Sequence, residues 1–351
     1  MKKNLFMSAG CILLFCLLGC EPLLTVVEVT NNITSVTTWE SSNLYVITKQ
    51  NVNIEAPLTI EPGTIIKFKS GTYFTVKTTL LADGTEEEPI VFTSYRDDAH
   101  GGDTNQDGAF TTPGPGDWAF LYVEGDRNES VFNQCRFYYG GKGGWQGYTL
   151  GIASDETTVT NCVFAYNKGD KGNNMDNGDC ALNARFAGSS TVITNNTFYA
   201  NEKPLRIGPA VDIDASNRFH HPDNASLTND YNAIFVSTYD DISGQRSWAE
   251  TEVPFVVEPW SMEIPSGSSL TLADNVIVKF RSNSLRVVDD NLINYDGSGV
   301  WFTSWKDDTL GGDANGDGAL TSPGDGDWTG IYLGPTGTTA ADWENIFYDN
   351  Y

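Results

Sequence analysis

The sequence predicts an all-β fold, a coiled stack of short parallel strands, and three observations carry that prediction. Short β-branched or aromatic runs follow one another with turn residues between them. Three segments in the first half repeat one pattern around a phenylalanine. A long stretch of the chain then returns a second time, so the stack is built from copies. Outside the first twenty residues no segment has sustained helical periodicity with caps.

The strand runs come in order as Leu58-Thr59-Ile60, Thr64 to Phe68, Tyr73 to Val76, Leu80-Leu81 and Ile90 to Phe92. Between them, Pro62-Gly63, Ser70-Gly71 and Asp83-Gly84 supply turns. The three phenylalanine segments are Ser130 to Tyr139, Thr158 to Asn167 and Thr191 to Ala200. They align on Phe137, Phe164 and Phe198, which are 27 and 34 residues apart, and this puts Cys135, Cys162 and Asn196 on one rung. Successive coils of such a stack lie about 4.8 Å apart, so equivalent positions form ladders.

The duplication is widest around an acidic loop. Phe92 to Trp118 returns 210 residues later as Phe302 to Trp328, and from Phe92 to Tyr122 19 of 31 positions are identical. Upstream, Thr37 to Phe68 aligns with Arg246 to Phe280, pairing Trp39 with Trp248 and Lys67-Phe68 with Lys279-Phe280. Downstream, Phe137-Tyr138 aligns with Phe347-Tyr348. The expected organisation is a first module over 37–245 and a second, incomplete one over 246–351. A copy that stops inside a module leaves its last coil uncapped, which predicts further residues or a partner chain over that end.

The segment Glu61 to Phe68, the Ile90 to Ser94 strand with its GGDxNxDG loop and following Gly-Asp-Trp, and the phenylalanine coils together resemble right-handed parallel β-helix lipoproteins of bacterial envelopes. These belong to the pectin-lyase-like superfold. The resemblance implies a right-handed parallel β-helix, and it implies little about activity, because that superfold hosts lyases, hydrolases, adhesins and stalks.

The N-terminus agrees with an envelope protein. Residues 1–19 have a basic start at Lys2 and Lys3 followed by an apolar run too short to span a membrane, which reads as a secretory signal. Leu17-Leu18-Gly19-Cys20 resembles the bacterial lipobox, which implies that Cys20 is the acylated first residue, with 20–36 as a tether. Glu21 is not the aspartate that retains many lipoproteins at the inner membrane, so outer-membrane sorting is expected. Removing the signal moves the formal charge from 25 to 27 negative, 19 basic against 46 acidic side chains. Such a surface excludes nucleic acid as a partner and disfavours polyanionic sugars. Cys135, Cys162 and Cys180 are then the cysteines of the body, too few for a disulfide framework.

Asp103-x-Asn105-x-Asp107-Gly108 has the spacing of a calcium loop, with oxygen side chains at positions one, three and five and a glycine at the sharp turn. The second copy repeats it as Asp313, Asn315, Asp317 and Gly318. The acid that closes an EF-hand at position twelve is missing, replaced by Gly114 and Gly324. Completion of the shell is therefore expected from Asp97, Asp98, Asp117 and the carbonyl of Ala109, and in the second copy from Asp307, Asp308, Asp327 and Ala319. An oxygen-only donor set selects calcium over transition metals. His100 becomes Leu310 in the second copy, which argues against its having a role in the loop.

A catalytic constellation is weakly represented. Arg185 and Arg206 are the candidate proton-abstracting residues, with Asp170, Asp176 and Asp179 as candidate acids, and His220-His221 read as an exposed polar pair. Trp145 and Tyr148, in a glycine-rich loop, are expected to be exposed and to stack on sugar rings. The expected function is a lipid-anchored binding or adhesive module for carbohydrate, stiffened by calcium. A polysaccharide lyase or glycoside hydrolase on the same scaffold is the alternative, and a passive stalk the second. An arginine beside paired carboxylates in an open groove would favour the enzyme, and exposed aromatics there the binder.

Overall fold

The computed structural model describes residues 24–125, 128–142, 147–169, 180–258 and 260–351. Among these the regular structure is all strand, arranged as a parallel β-helix. In the first copy the coils from residue 43 to residue 194 each have three strands on three faces. Asn43–Ile47, Asn51–Ile54 and Leu58–Ile60 make one coil, and Ile65–Phe68, Tyr73–Val76 and Leu80–Asp83 lie directly on it in register. Strand residues alternate between core and surface: Ile66 and Phe68 point inward, as do Phe74 and Val76. Turn residues close each corner, several with backbones in the left-handed region (Gln134 at φ 50°, Asn161 at 54° and Asn195 at 56°).

The ladders predicted from Phe137, Phe164 and Phe198 are present and longer than expected. Phe92, Phe137, Phe164, Phe198 and Phe219 stack with centroids 4.8, 4.8, 5.1 and 5.3 Å apart. Cys135, Cys162 and Asn196 adjoin beside them, the Cys162 amide donating to Asn196 Oδ1 at 3.0 Å. All three body cysteines are buried free thiols, and burial pushes the Cys135 thiol well above its ordinary pKa. A second ladder went unread in the sequence. Asn167 donates to Asn201 and Asn201 to Asn229, each at 2.9 Å, and the first two amides also donate to Phe137 O and Phe164 O on the preceding coil.

One core runs through both copies, so residue 246 marks a repeat and not a break in packing. The copies do not sit on the same faces. Ile65–Phe68 and Ile90–Ser94 belong to the seven-stranded sheet, whereas their equivalents Ile277–Phe280 and Trp301–Ser304 end the ten-stranded one. The change happens where the seven-stranded sheet stops at Thr197–Tyr199 and the His220–His221/Asn224–Thr228 hairpin leaves the stack. The second acidic loop therefore leaves the helix one face away from the first.

The alignment of Phe137-Tyr138 with Phe347-Tyr348 is off by one. Phe302 pairs with Ile346, the Trp118 indole donates to Tyr138 O whereas Trp328 donates to Phe347 O, and Tyr139 and Tyr348 share φ 63°. The second copy is one residue shorter between Tyr332 and Tyr348. Since side chains alternate along a strand, the slip turns Phe347 outward, 36% exposed, and seats Ile346 beside Phe302. At this end Gly330–Leu333 is covered by an antiparallel partner, Thr339–Ala340.

Candidate metal centres in the acidic loops

Each acidic loop is fastened at its neck by a lysine on the outer side of a strand. Lys67, fully buried, donates from Nζ to Asp97 O at 2.7 Å, Gly102 O at 2.8 Å and Thr104 Oγ1 at 2.8 Å. Lys279 donates to Asp307 O at 2.8 Å and Gly312 O at 2.7 Å. Burial lowers both ammonium groups to a pKa of about 8, against the attraction of the neighbouring aspartates. The loop then folds back over the sheet. A Cβ at Gly101 would lie 2.4 Å from Leu44 Cδ1, so only glycine lets the backbone press on that face.

The far end of each loop is held by its tryptophan. Trp118 stacks on Phe68 and Trp328 on Phe280, both with ring centroids 4.2 Å apart. Asp117 and Asp327 work in the same frame, accepting hydroxyl bonds from Ser94 at 2.6 Å and Ser304 at 2.7 Å. Asp97 accepts from Thr93 Oγ1 at 2.6 Å and meets His100 Nδ1 at 2.7 Å. Burial alone would raise the Asp97 carboxyl, but its hydrogen bonds to His100 and Thr93 outweigh it and the group titrates low. His100 therefore does have a role in the loop, contrary to the expectation from its exchange. In the second copy Thr309 Oγ1 takes over, donating to Asp307 at 2.6 Å.

Of the expected carboxylate ligands, the structure brings three per loop together, and Asn105 and Asn315 adjoin them by donating to Asp107 and Asp317 at 2.9 Å each. The carboxylates of Asp98, Asp103 and Asp107 approach within 4.8 Å of one another, as do those of Asp308, Asp313 and Asp317. Asp103 organises the turn by accepting the amides of Asp107 at 3.1 Å and Gly108 at 2.9 Å, and Asp313 does the same for Asp317 and Gly318 at 3.2 and 2.8 Å. In the first loop Asp98 Oδ1, Asn105 Oδ1 and Asp107 Oδ1 are buried without a hydrogen-bond partner, and in the second Asp308 Oδ1 is. Desolvation, then the charge of Asp313, raises the pKa of Asp308. Asp107 and Asp317 titrate low instead, chiefly through the hydroxyls of Thr111 and Thr321. Asp97, Asp117, Asp307 and Asp327 are engaged in holding the loop, which narrows the ligand set that spacing proposed. Each tip ends in an apolar residue, Phe110 or Leu320, 88% exposed in both.

The remaining candidates separate. Tyr148 is not the exposed residue expected: it is 5% exposed, its ring lying against Gly151, where a Cβ would meet it at 2.2 Å. Burial raises its phenol far above the ordinary value. Trp145, Asp170, Asp176, Asp179 and Cys20 lie outside the described residues. Arg206 is buried with Glu258, 3.8 Å away, and Arg281 closes on the same carboxylate at 3.4 Å. That is an interior ion cluster and not a groove. His220 pairs with Glu252 at 2.6 Å on the hairpin. Arg185 lines an open pocket of about 420 Å³ that also holds Asp240 and Asp241. No protein-family model, curated protein or solved structure matches this chain.

Proposed function

We propose that this chain is a cell-envelope β-helix, anchored to the outer membrane by lipid on Cys20, whose body is a carbohydrate-binding module braced by calcium in its two acidic loops. The observation that carries the calcium reading is the set of unpartnered buried oxygens, Asp98 Oδ1, Asn105 Oδ1 and Asp107 Oδ1, in a loop where three carboxylates converge within 4.8 Å. Leaving such oxygens unpaired is costly, and bringing three carboxylates together adds repulsion. A hard divalent cation answers both, and the donor set contains only oxygen. The loops carry little apolar material of their own, so the ion would do for them what the core does for the strands.

Thermal unfolding of the full chain tests this reading. At calcium a hundredfold above Kd the ion adds about 2.7 kcal/mol, enough to lower the midpoint by several degrees when chelator is added. Titration calorimetry should find two unequal sites, with the tighter one lost in Asp103→Asn. An unchanged midpoint in protein shown to be metal-free would sink the proposal.

A lyase or hydrolase is the second reading, and the pocket that places Arg185 with Asp240 and Asp241 favours it. Against it, none of the acidic-loop residues lines that pocket, so the pairing of a calcium cluster with a basic residue is not assembled there.

A further inference from the structure

The pocket at Arg185 is formed by three turns that leave the ten-stranded sheet on successive coils, those after Leu182–Ala184, Leu205–Ile207 and Ile234–Ser237. Contacts between successive turns hold it together. A Cβ at Gly208 would sit 2.3 Å from Arg185 O, so glycine is what lets the first two turns touch. Arg246 ties the second turn to the third, donating to Ala210 O at 2.9 Å and Ser243 O at 2.8 Å. The Arg185 amide donates to Asn183 Oδ1 at 3.1 Å.

Phe186 lines the pocket, and Tyr239 adjoins it, next to the lining residue Asp240 and under the Arg185 guanidinium. Phe186 is 52% exposed and Tyr239 44%, whereas most phenylalanines among the described residues are buried in the core. The Arg185 guanidinium lies 4.2 Å from the first ring centroid and 4.4 Å from the second, which fixes both rings in place. Keeping such rings half in water forfeits part of the free energy that burial would give. A fixed ring has a cheap use: it offers a flat apolar face at little entropic cost. Beside the rings, Arg185 supplies donors and Asp240 and Asp241 supply acceptors, the mixture that sugar hydroxyls require. The volume of about 420 Å³ falls within the ~300–1,000 Å³ of small-molecule sites.

We propose that this pocket binds neutral sugar rings of a polysaccharide, which stack on Phe186 and Tyr239 and bond through Arg185, Asp240 and Asp241. The inference rests on the carbohydrate-binding reading above and moves its site away from Tyr148. Neutral sugars are the class the charge selects: two carboxylates face one guanidinium, on a chain with a formal charge of 25 negative. A uronate polymer would be repelled.

The full chain is printed against neutral and uronic-acid oligosaccharides of two to six units, and the best neutral one is titrated into wild type and variants. Phe186→Ala and Tyr239→Ala should each weaken binding at least tenfold, and Asp240→Asn with Asp241→Asn should do the same without touching the rings. Tyr239→Phe should stay within threefold. A wild type that binds no neutral sugar overturns the carbohydrate reading and the pocket with it. Binding that persists unchanged in the folded alanine and asparagine variants overturns the pocket alone. Preference for uronates overturns the neutral assignment, and new reducing ends in the bound oligosaccharide would make the pocket catalytic.

Discussion

The two acidic loops carry the same candidate ligand residues, yet they satisfy them differently. In the second, Asn315 Oδ1 accepts the Asp317 amide at 3.2 Å, and Asp317 Oδ1 accepts the amides of Ala319 and Leu320 at 2.9 Å each. In the first, the equivalent oxygens of Asn105 and Asp107 have no partner. One loop answers its own acceptors with backbone, and the other leaves them for something else. Identical ligand types thus do not mean equal sites, and the first loop is the one with the greater need of a cation. The packing differs in the opposite sense. Thr104 gives Lys67 a third acceptor, while its counterpart Ala314 is buried against Ala233, Phe235 and Val256.

The largest way to break this comparison is at the lysines. A hydrogen bond from a charged donor contributes about 1.5–3 kcal/mol, and removing the donor strands its acceptors. Lys67→Met should therefore destabilise the chain by about 4 kcal/mol and Lys279→Met by about 3 kcal/mol, since the second ammonium has one bond fewer and Ala314 compensates by packing. Urea unfolding measures both. Equal losses would mean that Thr104 contributes nothing to the neck.

A second difference lies two residues past the paired tryptophans, where the first copy has exposed Ser41 and the second has buried Glu250. Burial raises the Glu250 carboxyl from 4.5 to about 7, although the amides of Glu252 and Thr251 pull the other way. A folded pKa above the unfolded one means that the native state binds the extra proton. The stabilising contribution is full below about 4.5 and is lost as pH rises through about 7. The loss comes to about 3 kcal/mol by the usual 1.36 kcal/mol per unit. Glu250→Gln should flatten the stability profile between those values, and a profile as steep as wild type would show that another group sets it.

What the sequence revealed follows from periodicity. Phe137, Phe164 and Phe198 recur once per coil, so their ladder could be read directly, and ligand-type residues preserved through exchange marked the loops. The shift of the second copy by one face could not be read. It arises at the hairpin around His220, which interrupts the stack without any periodic signal of its own. The outward turn of Phe347 depends on one missing residue, and a gapless alignment hides that. The role of Lys67 is hidden in the sequence because its acceptors come from a loop thirty or more residues away. Arg185, Gly208 and Asp240 share a pocket only because three coils stack, and nothing in their spacing announces it.

The smallest test lies at a single backbone angle that both loops share. Gln106 has φ 59° and its counterpart Gly316 has φ 65°, so the turn between the second and third ligands is left-handed in each. A side chain there costs roughly 1 kcal/mol, which glycine avoids at some expense in unfolded-state entropy. Gln106→Gly should then stabilise the first loop by about 0.5 kcal/mol. The reverse exchange is not symmetric. A Cβ on Gly316 would sit 3.0 Å from Asp230 O and 3.1 Å from the Tyr231 ring, because the second loop lies against the segment that follows the hairpin. Gly316→Gln must therefore pay the backbone strain and push that segment aside, and it should destabilise by about 1–2 kcal/mol. If thermal melting gave equal and opposite shifts for the two variants, the backbone angle alone would matter. The difference in surroundings that separates the two loops would then have no energetic weight at this position.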